Sequence, residues 1–146
     1  MDYSSEPATL LLRGILALGR RVRAERPPGA LSLSGLGILG SLNRIGPIPA
    51  SRLAVEERLQ PQSLTRLLAD LEQRHLILRQ RSKVDRRAVI IGITAAGRTA
   101  LFEDIAARRV WLEAALNKQL TGRERETLHA AGAIMIRLAA HQPVLE

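Results

Sequence analysis

The apolar pattern of this chain changes period at His75 and returns to its first period from Thr94 onward. Before His75, Leu64, Leu67, Leu68 and Leu71 follow i, i+3, i+4, i+7 spacing, which aligns them on one stripe of a helix. After it come Leu76-Ile77-Leu78 and Ala88-Val89-Ile90-Ile91-Gly92-Ile93. These β-branched or aliphatic runs are too short for helices and read as a hairpin turning around Ser82 to Arg87. The fold class that follows is mainly α with one small β-hairpin.

The other elements fit this frame. Leu11, Ile15, Leu18 and Val22 make one stripe of a helix over residues 8–24, ended by Arg26-Pro27-Pro28-Gly29. Ser32 or Ser34 can cap a second helix carrying Leu36, Leu39 and Leu42, which stops before Gly46-Pro47-Ile48-Pro49. A short third helix begins near Pro49, turns Leu53 and Ala54 inward and fails around Arg58; Pro61 suits the first turn of a fourth. Thr94 can cap a fifth helix of about 24 residues ending near Lys118, with Leu101, Ile105, Leu112 and Leu116 on one side. Such a helix is too long to be hidden in one small domain. Thr121-Gly122-Arg123-Glu124 is a capping box opening a sixth helix with Leu128, Met135 and Leu138.

With 146 residues, 46% of them apolar, the chain can bury the core of one domain with helical extensions. The net charge is +8, and 20 of the 22 cations are arginine, which favours bidentate contact with phosphate or carboxylate. The absence of cysteine excludes a disulfide framework, a thiolate metal site, a cysteine nucleophile and a thiol redox switch. Tyr3, Phe102 and Trp111 are the whole aromatic complement, too few for a base-stacking platform on single strands. Leu10 to Leu18 is interrupted by Arg13 and lacks a basic leader, and no apolar run is long enough to span a bilayer. A soluble, cytoplasmic, nucleoid-associated protein with no membrane partner is expected.

The basic excess sits in the middle: +2 over residues 1–30, +4 over 52–87 and 0 over 101–146. Arg79, Arg81, Lys83, Arg86 and Arg87 crowd the hairpin against Asp85 alone. Immediately before it, helix, short turn and a helix exposing Gln60, Gln62, Ser63, Thr65 and Arg66 have the form of a helix-turn-helix, whose second helix enters the major groove. Arginine can donate twice to guanine, glutamine can pair with adenine, and serine or threonine can bond a base or a phosphate. The hairpin then lies beside that helix as a wing, with its arginines on phosphates or in a narrow minor groove. Double-stranded DNA is the expected partner.

Leu64-Thr65-Arg66-Leu67-Leu68 with Asp70-Leu71-Glu72, then Leu76-Ile77-x-Arg79, Asp85-Arg86-Arg87 and Ile93-Thr94-x-x-Gly97 form a series that resembles the MarR family (multiple antibiotic resistance regulators) over nearly the whole chain. The resemblance implies a homodimer in which residues 1–30 and 95–146 interlock and two winged helix-turn-helix domains, residues 31–94, read a pseudo-palindromic operator. It also implies that Arg87 approaches the minor groove and that Asp85 orients neighbouring arginine side chains, although Asp85 also suits a plain hairpin turn. A small anionic aromatic or lipophilic effector is the implied regulator, with no cofactor, and a repressor is the implied role. The chain departs from the family pattern in carrying His75 where glycine is usual. Gly35, Gly37 and Gly40 in the second helix are also unusual, and point to close packing or a pocket. Without cysteine the chain falls outside the thiol-based peroxide-sensing branch.

The same residues admit other readings. Gly35-Leu36-Gly37-Ile38-Leu39-Gly40 is a literal G-x-G-x-x-G, with Glu56 and Glu57 near the distance of a ribose-binding acid, but a nucleotide-binding enzyme needs a strand before it. His75, His129 and His141 are far apart in sequence, with no H-E-x-x-H or G-x-S-x-G, which argues against metal or hydrolytic chemistry. Trp111 suits helix packing, with a ligand pocket as the alternative. A helical protein-interaction module with non-specific DNA affinity is the third class.

Overall fold

The computed structural model describes residues 6–141; Tyr3 lies outside them. Six helices and three short strands follow in order: α1 (Pro7–Ala24), α2 (Leu33–Ile45), β1 (Ile48–Pro49), α3 (Ala50–Glu56), α4 (Pro61–Gln73), β2 (Ile77–Arg81), β3 (Val89–Ile93), α5 (Ala95–Gln119) and α6 (Gly122–Ala139). They fall into two compact units, one of residues 26–107 and the other of residues 1–25 with 108–146, so that α5 contributes to both.

In the winged unit, Ser32 begins α2 by accepting the Gly35 N–H at 3.1 Å. This settles the choice between Ser32 and Ser34 as the cap. Ile38, Leu39 and Leu42 of α2 are buried against Leu53 of α3, Leu64, Leu68 and Leu71 of α4, Ile48, Ile77 and Ile91 of the sheet, and Leu101 of α5. Each fully buried aliphatic side chain contributes about 1.5 to 3 kcal/mol relative to exposure. The sheet is antiparallel in the order β1-β3-β2, with Arg79 opposite Ile91 and Ile48 on its other side. Strand β1 was not expected from the sequence, since two residues ending in proline carry no period; Pro49 is tolerated because β1 is an edge strand.

Glycines 35, 37 and 40 lie inside α2, so the G-x-G-x-x-G has no strand-to-helix loop and cannot cradle a pyrophosphate. At Gly37 a Cβ would displace the end of the Glu57 side chain, whose carboxylate accepts the Ser41 hydroxyl. At Gly35 an added Cβ would stand 3.2 Å from Ser32 Oγ; at Gly40 it would meet nothing within 4 Å. In the same unit Arg26 Nε lies 3.0 Å from the buried Asp104 Oδ2, and its other branch donates to the Leu31 carbonyl. This holds the connector after α1 against α5.

The helical unit is different in character. No described residue of α1 or α6 is buried, and Leu10, Leu11, Leu12, Ile15, Leu16, Leu18, Ile134, Ile136 and Leu138 are all exposed. Trp111 packs beneath the Arg21 guanidinium, 4.6 Å from its ring centroid. The capping box of α6 forms in full: Thr121 Oγ1 accepts the Glu124 N–H at 3.3 Å and Glu124 Oε2 accepts the Thr121 N–H at 2.8 Å.

Candidate nucleic-acid interface

The turn between α3 and α4 is made by a residue in a sterically strained conformation. Arg58 has φ +51, the left-handed region, with its N–H on the Val55 carbonyl at 3.2 Å and the Leu59 N–H on the Ala54 carbonyl at 2.9 Å. This pair of bonds closes α3, and Leu59 tucks back against the core as such caps require. Gln60 is extended and Pro61 starts α4. The apolar residue directly after a failing helix was the available sign of this cap.

Leu64, Leu68 and Leu71 anchor α4. Gln60, Gln62, Ser63, Thr65 and Arg66 are therefore all turned to solvent on its N-terminal half. The Thr65 hydroxyl donates to the Pro61 carbonyl at 2.9 Å. Just past the Arg74 cap of the helix, His75 takes φ +58 and the Leu76 N–H reaches the Leu71 carbonyl at 2.9 Å. Histidine thus adopts the conformation for which glycine is usual, at about 1 to 2 kcal/mol of backbone strain.

The wing is fixed at both ends. At its root, Thr94 Oγ1 donates to the His75 carbonyl at 2.8 Å and accepts the Gly97 N–H at 2.9 Å, while the Thr94 N–H reaches the Leu76 carbonyl at 3.1 Å. Gly97 has no substitute here, because a Cβ would overlap the Leu76 carbonyl oxygen. At its tip, Ser82 Oγ accepts the Val84 and Asp85 N–H groups, both at 3.2 Å, and Asp85 Oδ1 accepts the Arg87 N–H at 3.0 Å. Asp85 therefore shapes the backbone that carries Arg86 and Arg87.

The wing cations divide into two groups. Arg79 forms an ion pair with Glu72 of α4, tying the root of β2 to the preceding helix. Among the described residues no ion pair engages Arg66, Arg81, Lys83, Arg86 or Arg87, all of them exposed. Sequence reasoning treats all five wing cations alike, because a pair between a helix and a strand leaves no local spacing to read. No group of three or more His, Asp or Glu side chains among the described residues could hold a metal. No described helix is long and apolar enough to cross a membrane.

A helix-turn-helix whose second helix exposes polar side chains, followed at once by a hairpin bearing exposed arginines, defines a winged-helix DNA-binding protein. The sequence model of the MarR family matches residues 31–89, from the start of the α2 cap into β3. A putative transcriptional regulator from Pseudomonas aeruginosa, known as a crystal structure, is 32% identical with a TM-score of 0.78, over 93% of this chain and 94% of that one. An HTH-type transcriptional regulator of Mycobacterium bovis is 29% identical over 98% of this chain and 99% of its own. The transcriptional repressor CouR, solved bound to a 23-mer DNA duplex, has the same fold: TM-score 0.71, 23% identity, 92% of this chain and 95% of that one. The chain belongs to the MarR family of transcriptional regulators.

Proposed function

We propose that two copies of this chain form a homodimer that binds a pseudo-palindromic operator and represses transcription, acting in the cytoplasm at the nucleoid. The observation that carries this reading is the pairing of an exposed polar N-terminal half of α4 with wing arginines that have no ion-pair partner among the described residues. Two α4 helices about 34 Å apart would enter successive major grooves on one face of the duplex. Gln60, Gln62, Ser63, Thr65 and Arg66 face the bases there, while Arg81, Lys83, Arg86 and Arg87 neutralise phosphates or enter the minor groove and supply the salt-dependent affinity. Arg79 and Asp85 hold the wing in shape. CouR on its duplex supports this reading by likeness of fold. The exposed leucines and isoleucines of α1 and α6 supply the apolar surface for the dimer, with residues 1–30 and 95–146 as its dimerisation region.

Release follows from an effector that binds the DNA-incompetent arrangement more tightly than the competent one. The winged unit holds a cavity of about 300 Å³ under the α1–α2 connector, lined by Pro27, Leu31, Leu36, Arg74, Leu76 and Ala100 together with Glu103 and Asp104. Its apolar wall suits a small aromatic or lipophilic compound, and Arg74, which also pairs with Asp70 at 3.2 Å, is its one cation beside the two carboxylates.

The experiment is a fluorescence-anisotropy titration against DNA from the chain's own promoter region and a scrambled duplex of equal length, at near-physiological salt. Binding to the promoter at least about 10³-fold tighter is expected for a specific regulator. Equal weak binding to both would leave a merely basic protein and return the interaction-module reading.

A further inference from the structure

Thr65 stands on the DNA-facing half of α4, yet its hydroxyl proton is committed to the Pro61 carbonyl at 2.9 Å. A hydroxyl has one proton, so what Thr65 has left for a base edge is oxygen lone pairs and a methyl group. Its surroundings are apolar. Ala54, Val55, Leu59, Pro61, Leu64 and Thr65 line an open hollow of about 670 Å³ between α3 and α4. Val55 is 76% exposed. Ser51, Arg58 and Gln60 also line the hollow, Arg58 as its one cation. Hydrogen-bond readout and phosphate contact leave an apolar surface in this place unexplained.

In the major groove one base-pair group is apolar, the C5-methyl of thymine. We propose that Thr65 and Val55 read a thymine methyl, so that each half-site carries an A·T pair beneath the start of α4. This rests on the operator-binding reading above and adds to it the base that this part of the helix selects. The adenine of that pair is within the chemistry of Gln62, whose amide can bond its N6 and N7. Arg58 beside the hollow, on a phosphate, would bring the duplex close enough for methyl groups to be dehydrated against one another.

The test starts from operators enriched on the full-length protein from a random duplex pool. Each thymine is then replaced singly by deoxyuridine, which removes the methyl and nothing else, and Kd is read by anisotropy. One position per half-site should weaken by about three- to tenfold, the size of one buried methyl. Thr65→Ser, which keeps the hydroxyl and loses the methyl, should shrink the preference for thymine over uracil at that position, and the Thr65→Ser/Val55→Ala double variant should abolish it. Thr65→Val should keep the preference and Val55→Ala should reduce it. If no replacement weakens binding, or if Thr65→Ser retains the full preference, the methyl readout is overturned. A pool that enriches no sequence would instead defeat the operator-binding reading, and the methyl readout with it.

Discussion

Arg66 and Arg87 are both exposed and free of ion pairs among the described residues, yet their removal should be felt differently. Arg66→Ala should relax preference at one base position per half-site, costing about 1 to 3 kcal/mol there, as a panel of single-base operator variants would show. A penalty equal across all variants would contradict a base contact. Arg87→Ala should weaken every duplex alike and reduce the slope of log K against log salt by about 1 for each phosphate no longer neutralised. His75 tests the backbone instead. With φ +58 it sits where glycine is unstrained, so His75→Gly should raise thermal stability by up to about 1 kcal/mol, the strain relieved less the extra entropy of glycine in the unfolded chain. A lower melting temperature would show that the imidazole does something the strain argument omits.

At the scale of elements, the joint between α4, the wing and α5 is the most exacting part of the winged unit. Gly97→Ala would force a Cβ onto the Leu76 carbonyl, an overpacking against backbone expected to cost about 1 to 3 kcal/mol in denaturant unfolding. The cap of α6 carries a pH dependence. Bonds from the Thr121 backbone N–H and hydroxyl hold the Glu124 carboxyl below its ordinary value of 4.5. The folded pKa is the lower one, so the cap is fully present above pH 4.5 and is lost as pH falls through the depressed value. Amide exchange in the first turn of α6 should quicken over that range, and Glu124→Gln should abolish the titration. These elements were legible in sequence because their signals are local: the leucine stripe of α4, the capping box, the change of period at His75. Strand β1 was not, because two residues become a strand only by pairing with β3, more than forty positions away. The Glu72–Arg79 pair and the Arg26–Asp104 clamp were missed for a related reason: each is defined by a neighbour brought near by folding. The left-handed Arg58 is a local cap whose sign, Leu59 after the failing helix, was there to be read. The exposed polar half of α4 was read from the spacing of its buried leucines, which leaves its polar residues outside.

At the scale of the whole molecule, the described helices of the α1 and α6 unit expose aliphatic side chains that a lone chain would leave wet. If a second copy covers them, the melting temperature should rise with protein concentration. Ile136→Asp, at a position 73% exposed in the single chain, should shift sedimentation toward monomer and weaken operator binding in step, because two linked reading heads become separate. A variant that stays dimeric with full affinity would place Ile136 outside the interface. Four of the wing's five cations are guanidiniums, with Lys83 the single amine. Guanidinium does not titrate in any cellular range, and acetylation acts on lysine. Enzymes that acylate amines could remove one charge from this wing and leave four. Nearly all of the wing's charge is thus a permanent setting, with Lys83 the one position where acylation could change it.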